Sequence, residues 1–204
     1  LLVPEYSRLL AGKNFNRMKS VCYKIFAITF SFSFLIAGVF LFFSNEVSLL
    51  VYKNLEIAIY LKIFSFLIIF MYIDNIIDGI LKGINSQFGV MIINICDLLI
   101  TICIIYFIVP IYGINGYVFS IFISEIFNFT ASFILLKKKL IINFDFLNFC
   151  IKPFIICLFS YFITMFLPIN FQNIQANYIL KISTFTILYL LIFAKINYNF
   201  LKSL

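Results

Sequence analysis

The chain contains no histidine and no tryptophan, and only 11% of its 204 residues are charged. The missing histidine excludes histidine-based catalysis and histidine metal ligation. The charged fraction is less than half of the roughly 25% that soluble domains carry, so the composition argues against a soluble protein. Without tryptophan, tyrosine has to supply the aromatic side chains that membrane proteins place at the lipid–water interfaces.

Cysteine, glycine and proline are also sparse, with 5, 7 and 4 residues. The cysteines are Cys22, Cys96, Cys103, Cys150 and Cys157. No two of them have the CxxC spacing that metal sites and redox motifs use. Most lie in or beside apolar segments, where cysteine packs as a small polarizable side chain. The sequence therefore predicts neither disulfides nor a metal site, and it predicts no cofactor.

Long apolar stretches make up most of the chain, which is 64% hydrophobic with a mean hydropathy of +1.14. A helix rises about 1.5 Å per residue, so roughly 20 apolar residues cross a hydrocarbon core about 30 Å thick. Six segments are long enough: 25–43, 57–81, 88–109, 114–136, 151–168 and 178–196. The predicted fold class is therefore an all-α integral membrane protein with six transmembrane helices.

Basic residues are concentrated on one side of the predicted membrane. The net charge is +7, from 15 basic and 8 acidic residues. Twelve basic residues fall in alternate loops: Arg8, Lys13, Arg17, Lys19, Lys24, Lys82, Lys137, Lys138, Lys139, Lys152, Lys195 and Lys202. The positive-inside rule places these loops and both chain ends in the cytoplasm. The charge thus sets topology and brings the loops near anionic lipids without a specific ligand, and it does not indicate a nucleic-acid partner.

The chain divides by hydropathy into three parts. Residues 1–24 are predicted to hold the end of a preceding helix and a cytoplasmic amphipathic segment. Residues 25–138 form a four-helix part, and residues 139–204 form a cytoplasmic loop and a terminal two-helix hairpin. Because the first four residues resemble the last turn of a helix that began upstream, we expect the chain to be a fragment of a longer protein.

Local patterns refine this outline. A single amphipathic helix is predicted over 5–22, with Leu9 and Met18 among the side chains resting in the membrane interface. Pro110 is predicted to stop the third span, because proline cannot donate to the helix ladder. Gly79 and Gly83 form a GxxxG pattern at the membrane edge, which suits either a packing notch or a turn.

Two acidic residues are predicted to lie near the middle of the membrane. Asp97 is nine residues into the third span, about 14 Å deep, and Glu125 is eleven residues into the fourth, about 16 Å deep. A charge there costs roughly 2.5–3.5 kcal/mol, so such residues usually face a cavity or a partner. Asn94 and Asn128 lie on the polar faces of the same two spans. These four residues are candidates for a proton- or cation-responsive site in a transport cavity, or for a polar patch that holds the helices together.

A second polar group is predicted at the inner end of the second span, where Asp74, Asp78 and Lys82 recur at four-residue intervals. Asp78 and Lys82 are spaced for an ion pair along the helix. The run 74–78 is also similar to the acidic motif with which intramembrane prenyltransferases hold Mg²⁺ and pyrophosphate. A second acidic cluster of that kind is absent, so we expect a helix-end polar cluster and no enzyme.

Four motifs follow one another in an order typical of one transporter family. They are Leu2–Arg8 (LVPEYSR), Val51–Asn54 (VYKN), Asp78–Gly83 (DGILKG) and Val109–Tyr117 (VPIYGINGY). Together they resemble the stage V sporulation protein B and polysaccharide biosynthesis exporter family, part of the multidrug/oligosaccharidyl-lipid/polysaccharide flippase superfamily. The resemblance extends over about residues 1–138, and the terminal hairpin agrees by position and hydropathy.

This resemblance implies that the chain forms most of the C-terminal lobe of a MATE-like fold, together with its terminal helix pair. It implies a flippase of the bacterial cytoplasmic membrane that moves undecaprenyl-linked oligosaccharide by alternating access, in cell-wall, spore-cortex or capsule assembly. The expected partners are membrane lipids, the lipid-linked oligosaccharide and an N-terminal lobe of the same protein. The nearest alternative is half of a multidrug cation antiporter. A polyprenyl-lipid-processing membrane enzyme and a non-transporting membrane scaffold are further alternatives.

Overall fold

A computed structural model describes residues 2–140, 144–167 and 174–197, and this part of the chain is helical without any strand. The helices are α1 (Leu2–Ala11), α2 (Phe15–Phe42), α3 (Ser44–Val51), α4 (Ile57–Gly83), α5 (Gln87–Tyr112), α6 (Ile114–Lys139), α7 (Lys152–Phe166) and α8 (Ile174–Ile196). A π-helical turn at Leu147–Ile151 leads directly into α7. Pro168, the predicted end of the fifth span, lies outside the described residues, as does Lys202.

Six of the helical segments are long and apolar enough to cross a membrane. They are α2, α4, α5, α6, α8 and the continuous stretch Leu147–Phe166 that contains α7. The predicted all-α class with six membrane-length helices is therefore confirmed.

The prediction of one amphipathic helix over 5–22 is wrong, because α1 ends at Ala11 and α2 begins at Phe15. The Asn14 amide donates back to the carbonyl of Leu9 at 3.1 Å, which closes the end of α1. The Asn14 side chain then accepts a hydrogen bond from the Arg17 amide at 3.3 Å, as a helix N-cap does. Leu9 and Met18 are buried against protein, whereas the prediction placed them in the membrane interface.

Pro110 does not stop the third span, as the sequence had suggested, and α5 continues through it to Tyr112. A proline near the C-terminal end of a helix costs only one hydrogen bond there, which the neighbouring turn tolerates. The helix ends instead at Gly113, whose φ of 56° lies in the left-handed region that glycine adopts without strain. This single residue separates α5 from α6, so the two helices form a tight antiparallel hairpin.

The described helices divide into two compact units. The first unit comprises Leu1–Phe26 and Phe70–Phe144, and the second comprises Ala27–Ile69 and Asp145–Leu204. In the first unit α5 packs along α6, and in the second α7 and α3 each pack against α8. The buried centre of the second unit is formed by Leu35, Phe43, Ile156, Cys157, Phe185 and Tyr189.

In the first unit, the GxxxG pattern of α4 is a packing notch for α1. A Cβ atom built on Gly83 would lie 2.5 Å from Cβ of Tyr6 and 3.0 Å from the carbonyl oxygen of Val3. At Gly79 the nearest atom, in Leu2, would lie 3.4 Å away, which is ordinary contact. Ser7 donates a hydrogen bond to the Gly83 carbonyl at 3.1 Å. The absent side chain at Gly83 therefore permits the close approach of the two helices.

Replacing Gly83 with alanine is expected to destabilise the protein by about 1–3 kcal/mol, because the added methyl group overpacks the notch against backbone and Cβ atoms. Gly79→Ala is the matched control, and its gain in helix propensity makes it neutral or slightly stabilising. Thermal unfolding in detergent, followed by the loss of helical circular dichroism, compares the two. Equal melting temperatures for both variants would show that α1 does not pack in the notch.

Candidate functional site

Asp97 lies between α5 and α6 and is held by two side chains of α6. The hydroxyl of Ser124 donates to Asp97 Oδ1 at 2.7 Å, and Nδ2 of Asn128 donates to Asp97 Oδ2 at 3.2 Å. Ser124 and Asn128 are one turn apart, so they present donors side by side to one carboxylate. The antiparallel hairpin thus brings together the polar faces of two otherwise apolar helices at one depth.

Asp78 occupies a second polar contact, between α4 and α6. Its Oδ2 lies 3.7 Å from Nζ of Lys82, one turn along the same helix. Ser132, which is fully buried, donates to Asp78 Oδ1 at 3.4 Å. The Lys82 ammonium is about half exposed, so its attraction for Asp78 is screened and contributes little to stability.

The two polar groups interact electrostatically through Asp74 and Glu125. Asp74 interacts electrostatically with both Asp78 and Asp97, and Glu125 interacts with Asp74 and Asp97. Together the two groups contain four carboxyl groups and one ammonium group, that of Lys82. We name these residues the carboxyl cluster: Asp74, Asp78, Asp97, Glu125 and Lys82, with the donors Ser124, Asn128 and Ser132.

Two buried acceptor oxygens of the carboxyl cluster and its donors lack a donor within the described residues. Asp74 Oδ1 and Asn128 Oδ1 are buried, and neither has a hydrogen-bond partner among the residues that the structure describes. The hydroxyl of Thr101, one turn beyond Asp97 on α5, is also buried without a partner within the described ranges. Buried oxygens of this kind normally have a water molecule, an ion or a proton donor as a partner.

The other candidate residues are less engaged. Glu125 is half-buried and receives no hydrogen bond from the described part of the chain, although it faces Asp74 and Asp97 electrostatically. Asn94 is exposed on α5 and makes no hydrogen bond to the cluster. The structure therefore joins Asp97 to Asn128 and Asp78 to Lys82 by direct contacts, and it leaves Asn94 outside. Asp74 and Glu125 interact with this group electrostatically. Ser124 and Ser132 were not among the candidates, although they donate directly to Asp97 and Asp78.

The donor set determines which ligand the cluster can accept. All of its ligating atoms are oxygens, from carboxyl, amide and hydroxyl groups, and oxygen ligands suit hard cations or a proton. Within 2–140, 144–167 and 174–197, no group of three or more acidic or cysteine side chains converges closely enough to hold a metal ion. Chemically, the arrangement can take up a proton, or a cation bound by few protein ligands, at the level of Asp97.

A family model described as MatE matches residues 4–107, just over half of the chain, from α1 through most of α5. Neither a curated protein nor a solved structure matches. The matched region includes Asp74, Asp78, Lys82 and Asp97, whereas Glu125 and Asn128 follow it. Proteins of this family are multi-pass membrane transporters, which agrees with the six membrane-length helices. The chain belongs to the MatE family of membrane transporters.

Proposed function

We propose that the carboxyl cluster is the coupling site of this transporter, where binding of a proton or a monovalent cation drives the transport cycle. The observation that carries the proposal is the environment of Asp97. Both of its oxygens accept hydrogen bonds from α6, and two buried oxygens of the cluster and its donors, on Asp74 and Asn128, lack donors within the described part of the chain. An incoming proton or cation supplies the missing partner.

Electrostatics explain why such binding would be coupled to motion. Four carboxyl groups on α4, α5 and α6 repel one another when they are ionised, and the ammonium of Lys82 pairs with Asp78 and also attracts Asp74. Adding one positive charge reduces this repulsion and favours a closer packing of the three helices. A ligand shifts a conformational equilibrium by its difference in affinity for the two states. Occupied and empty clusters would therefore favour different arrangements of these helices.

For the substrate we propose a lipid-linked oligosaccharide, moved across the bacterial cytoplasmic membrane by alternating access for cell-wall, spore-cortex or capsule assembly. The motifs at Asp78–Gly83 and Val109–Tyr117 resemble those of polysaccharide exporters. The helices α7 and α8 support the same substrate class, because the resemblance assigns a terminal helix pair to flippases. We also propose that the basic ends of the helices face the cytoplasm.

A multidrug cation antiporter is the second candidate, and the carboxyl cluster favours it as strongly as a flippase. Carboxylates in a low-dielectric cavity attract organic cations as well as coupling ions. A lipid-linked oligosaccharide carries an anionic phosphate linkage, which carboxylates repel. If the protein is a flippase, the cluster can serve only the coupling ion, whereas in an antiporter the ion and the drug can compete for it.

Reconstitution of this chain together with its expected N-terminal lobe in proteoliposomes separates these functions. We expect residues 1–204 alone to move no lipid, because alternating access needs both lobes. We expect a fluorescent lipid-linked oligosaccharide to move between leaflets when a proton or sodium gradient is imposed, and to stop when the gradient is dissipated. Efflux of a cationic dye under the same gradients, without movement of the lipid, would instead establish an antiporter. Movement of neither substrate with both lobes present would favour a non-transporting scaffold and would contradict both proposals.

A further inference from the structure

An apolar groove lies between α5 and α6. It is located at the end of the first unit where α6 finishes with three consecutive lysines, Lys137, Lys138 and Lys139. Its volume is about 360 Å³, and it is open along one side. Ile92 and Ile93 of α5 and Ala131 and Ile134 of α6 line its walls, and Lys138 lies at its mouth. The lining side chains from Ala131 to Lys138 extend over about 10 Å of helix, which is about a third of the hydrocarbon thickness.

Small residues make the groove possible. A Cβ atom built on Gly89 would lie 2.6 Å from Cδ2 of Leu135, so glycine allows α6 to lie close to α5 at this level. Ala131, one turn before Leu135, leaves space that a larger side chain would fill. The groove is therefore a depression in a tightly packed helix pair and not a gap caused by poor packing.

The charge at the mouth of the groove is of one sign. Lys137, Lys138 and Lys139 form the last turn of α6, and all three ammonium-bearing side chains are exposed. None of them forms an ion pair with a carboxylate in the described ranges. All three are favourably placed at a helix C-terminus, where the macrodipole is negative. Only Lys138 also lines the apolar groove, so it is the one that combines a positive charge with an aliphatic surface.

We propose that this groove is a binding site for an anionic phospholipid, with an acyl chain along the aliphatic walls and the phosphate at Lys138. The positive charge lies at the membrane edge and the aliphatic walls lie further inward. This is the order in which a phospholipid presents its headgroup and its acyl chain. Basic pockets between transmembrane helices bind anionic headgroups in this way, and each nearby lysine contributes about 1 kcal/mol. The sequence alone had assigned the lysines only general solvation near headgroups. The proposal does not depend on the transported substrate or on the carboxyl cluster.

Native mass spectrometry of the detergent-released protein tests the headgroup. With phosphatidylglycerol and phosphatidylcholine of identical acyl chains, we expect phosphatidylglycerol to be retained about fivefold more strongly, because only its headgroup carries a net charge. Lys138→Ala should remove most of this preference. Lys139→Ala is the matched control in the same helical turn, and it should keep the preference because Lys139 does not line the groove.

The acyl-chain part of the site is tested by filling the groove. Ala131→Phe should lower retention of both phospholipids, whereas Ile126→Phe, on an exposed surface of α6 outside the groove, should leave retention unchanged. Glycerol phosphate without acyl chains should fail to displace phosphatidylglycerol, which distinguishes a lipid site from a free phosphate site. Equal retention of the two lipids, equal effects of the two lysine variants, or displacement by glycerol phosphate would overturn the proposal.

Discussion

Asp97→Asn is expected to lower gradient-driven transport by at least about tenfold, which corresponds to a coupling free energy of about 1.4 kcal/mol or more. Asparagine has nearly the same shape as aspartate, but it cannot bind a proton or offer a negative charge to a cation. It also places an amide NH₂ where Ser124 or Asn128 now donates a hydrogen bond. The variant therefore removes the carboxylate that is proposed to bind the coupling ion, and it leaves one donor in the cluster without an acceptor.

Transport driven by proton and sodium gradients in proteoliposomes measures the effect, with the amount of inserted protein used to correct for folding. Asn94→Ala is the control on the same helix, since Asn94 is exposed and outside the cluster, and it should transport normally. Ser124→Ala should have an intermediate effect, because Asn128 still holds one carboxylate oxygen. Uncoupled but undiminished substrate movement in Asp97→Asn would also support the assignment. Transport that keeps both its rate and its gradient dependence would show that the cluster only joins the helices.

The helices could be predicted from the sequence because membrane length and apolarity constrain them so strongly. Without water in the bilayer core, a chain must satisfy its backbone hydrogen bonds within each helix, so long apolar runs specify helices. The errors are at helix ends, where capping groups and backbone conformation decide. Asn14 caps α2 and ends the predicted amphipathic helix, and Gly113, through its positive φ, ends α5 in place of Pro110. The short helix α3 lies between the first two predicted spans, where no membrane-length apolar run marks it.

The site was only partly predictable. Asp97 and the polar face of α6 were expected to meet because two consecutive spans form an antiparallel hairpin, which fixes the depth of each residue. The position of α4 beside that hairpin depends on tertiary packing, which the order of spans does not specify. Asp74 was therefore grouped with Asp78 and Lys82 at the helix end, although it also interacts with Asp97 and Glu125. The distance of each residue from the turn between α4 and α5 could have indicated that Asp74 and Asp97 lie at a similar level. Asp74 is nine residues from the end of α4, and Asp97 is ten residues from the start of α5.

Phe185→Ala is expected to destabilise the second unit by about 3–5 kcal/mol, the largest stability effect foreseen for this chain. Phe185 on α8 is fully buried, with ring centroids 5.4 Å from Phe43 and 6.5 Å from Tyr189. A Cβ atom built on Gly38 would lie 3.0 Å from its Cζ and 2.4 Å from Sγ of Cys157, so the backbone of α2 lies very near. Truncation would leave a cavity among rigid aromatic rings that cannot collapse into it.

Phe162→Ala provides the matched control, because Phe162 on α7 is 58% exposed and presents its ring to the surface of the unit. Lipid is as apolar as a protein core, so burial of apolar area does not by itself favour helix packing in a membrane. Tight van der Waals contact between side chains is what stabilises the packed helices. The same truncation at a lipid-facing site should therefore cost no more than about 0.5 kcal/mol. The free energy of unfolding, measured by titrating mixed micelles with a denaturing detergent, compares the variants. Similar losses for Phe185→Ala and Phe162→Ala would mean that general apolarity, and not the aromatic packing around Gly38, stabilises the second unit.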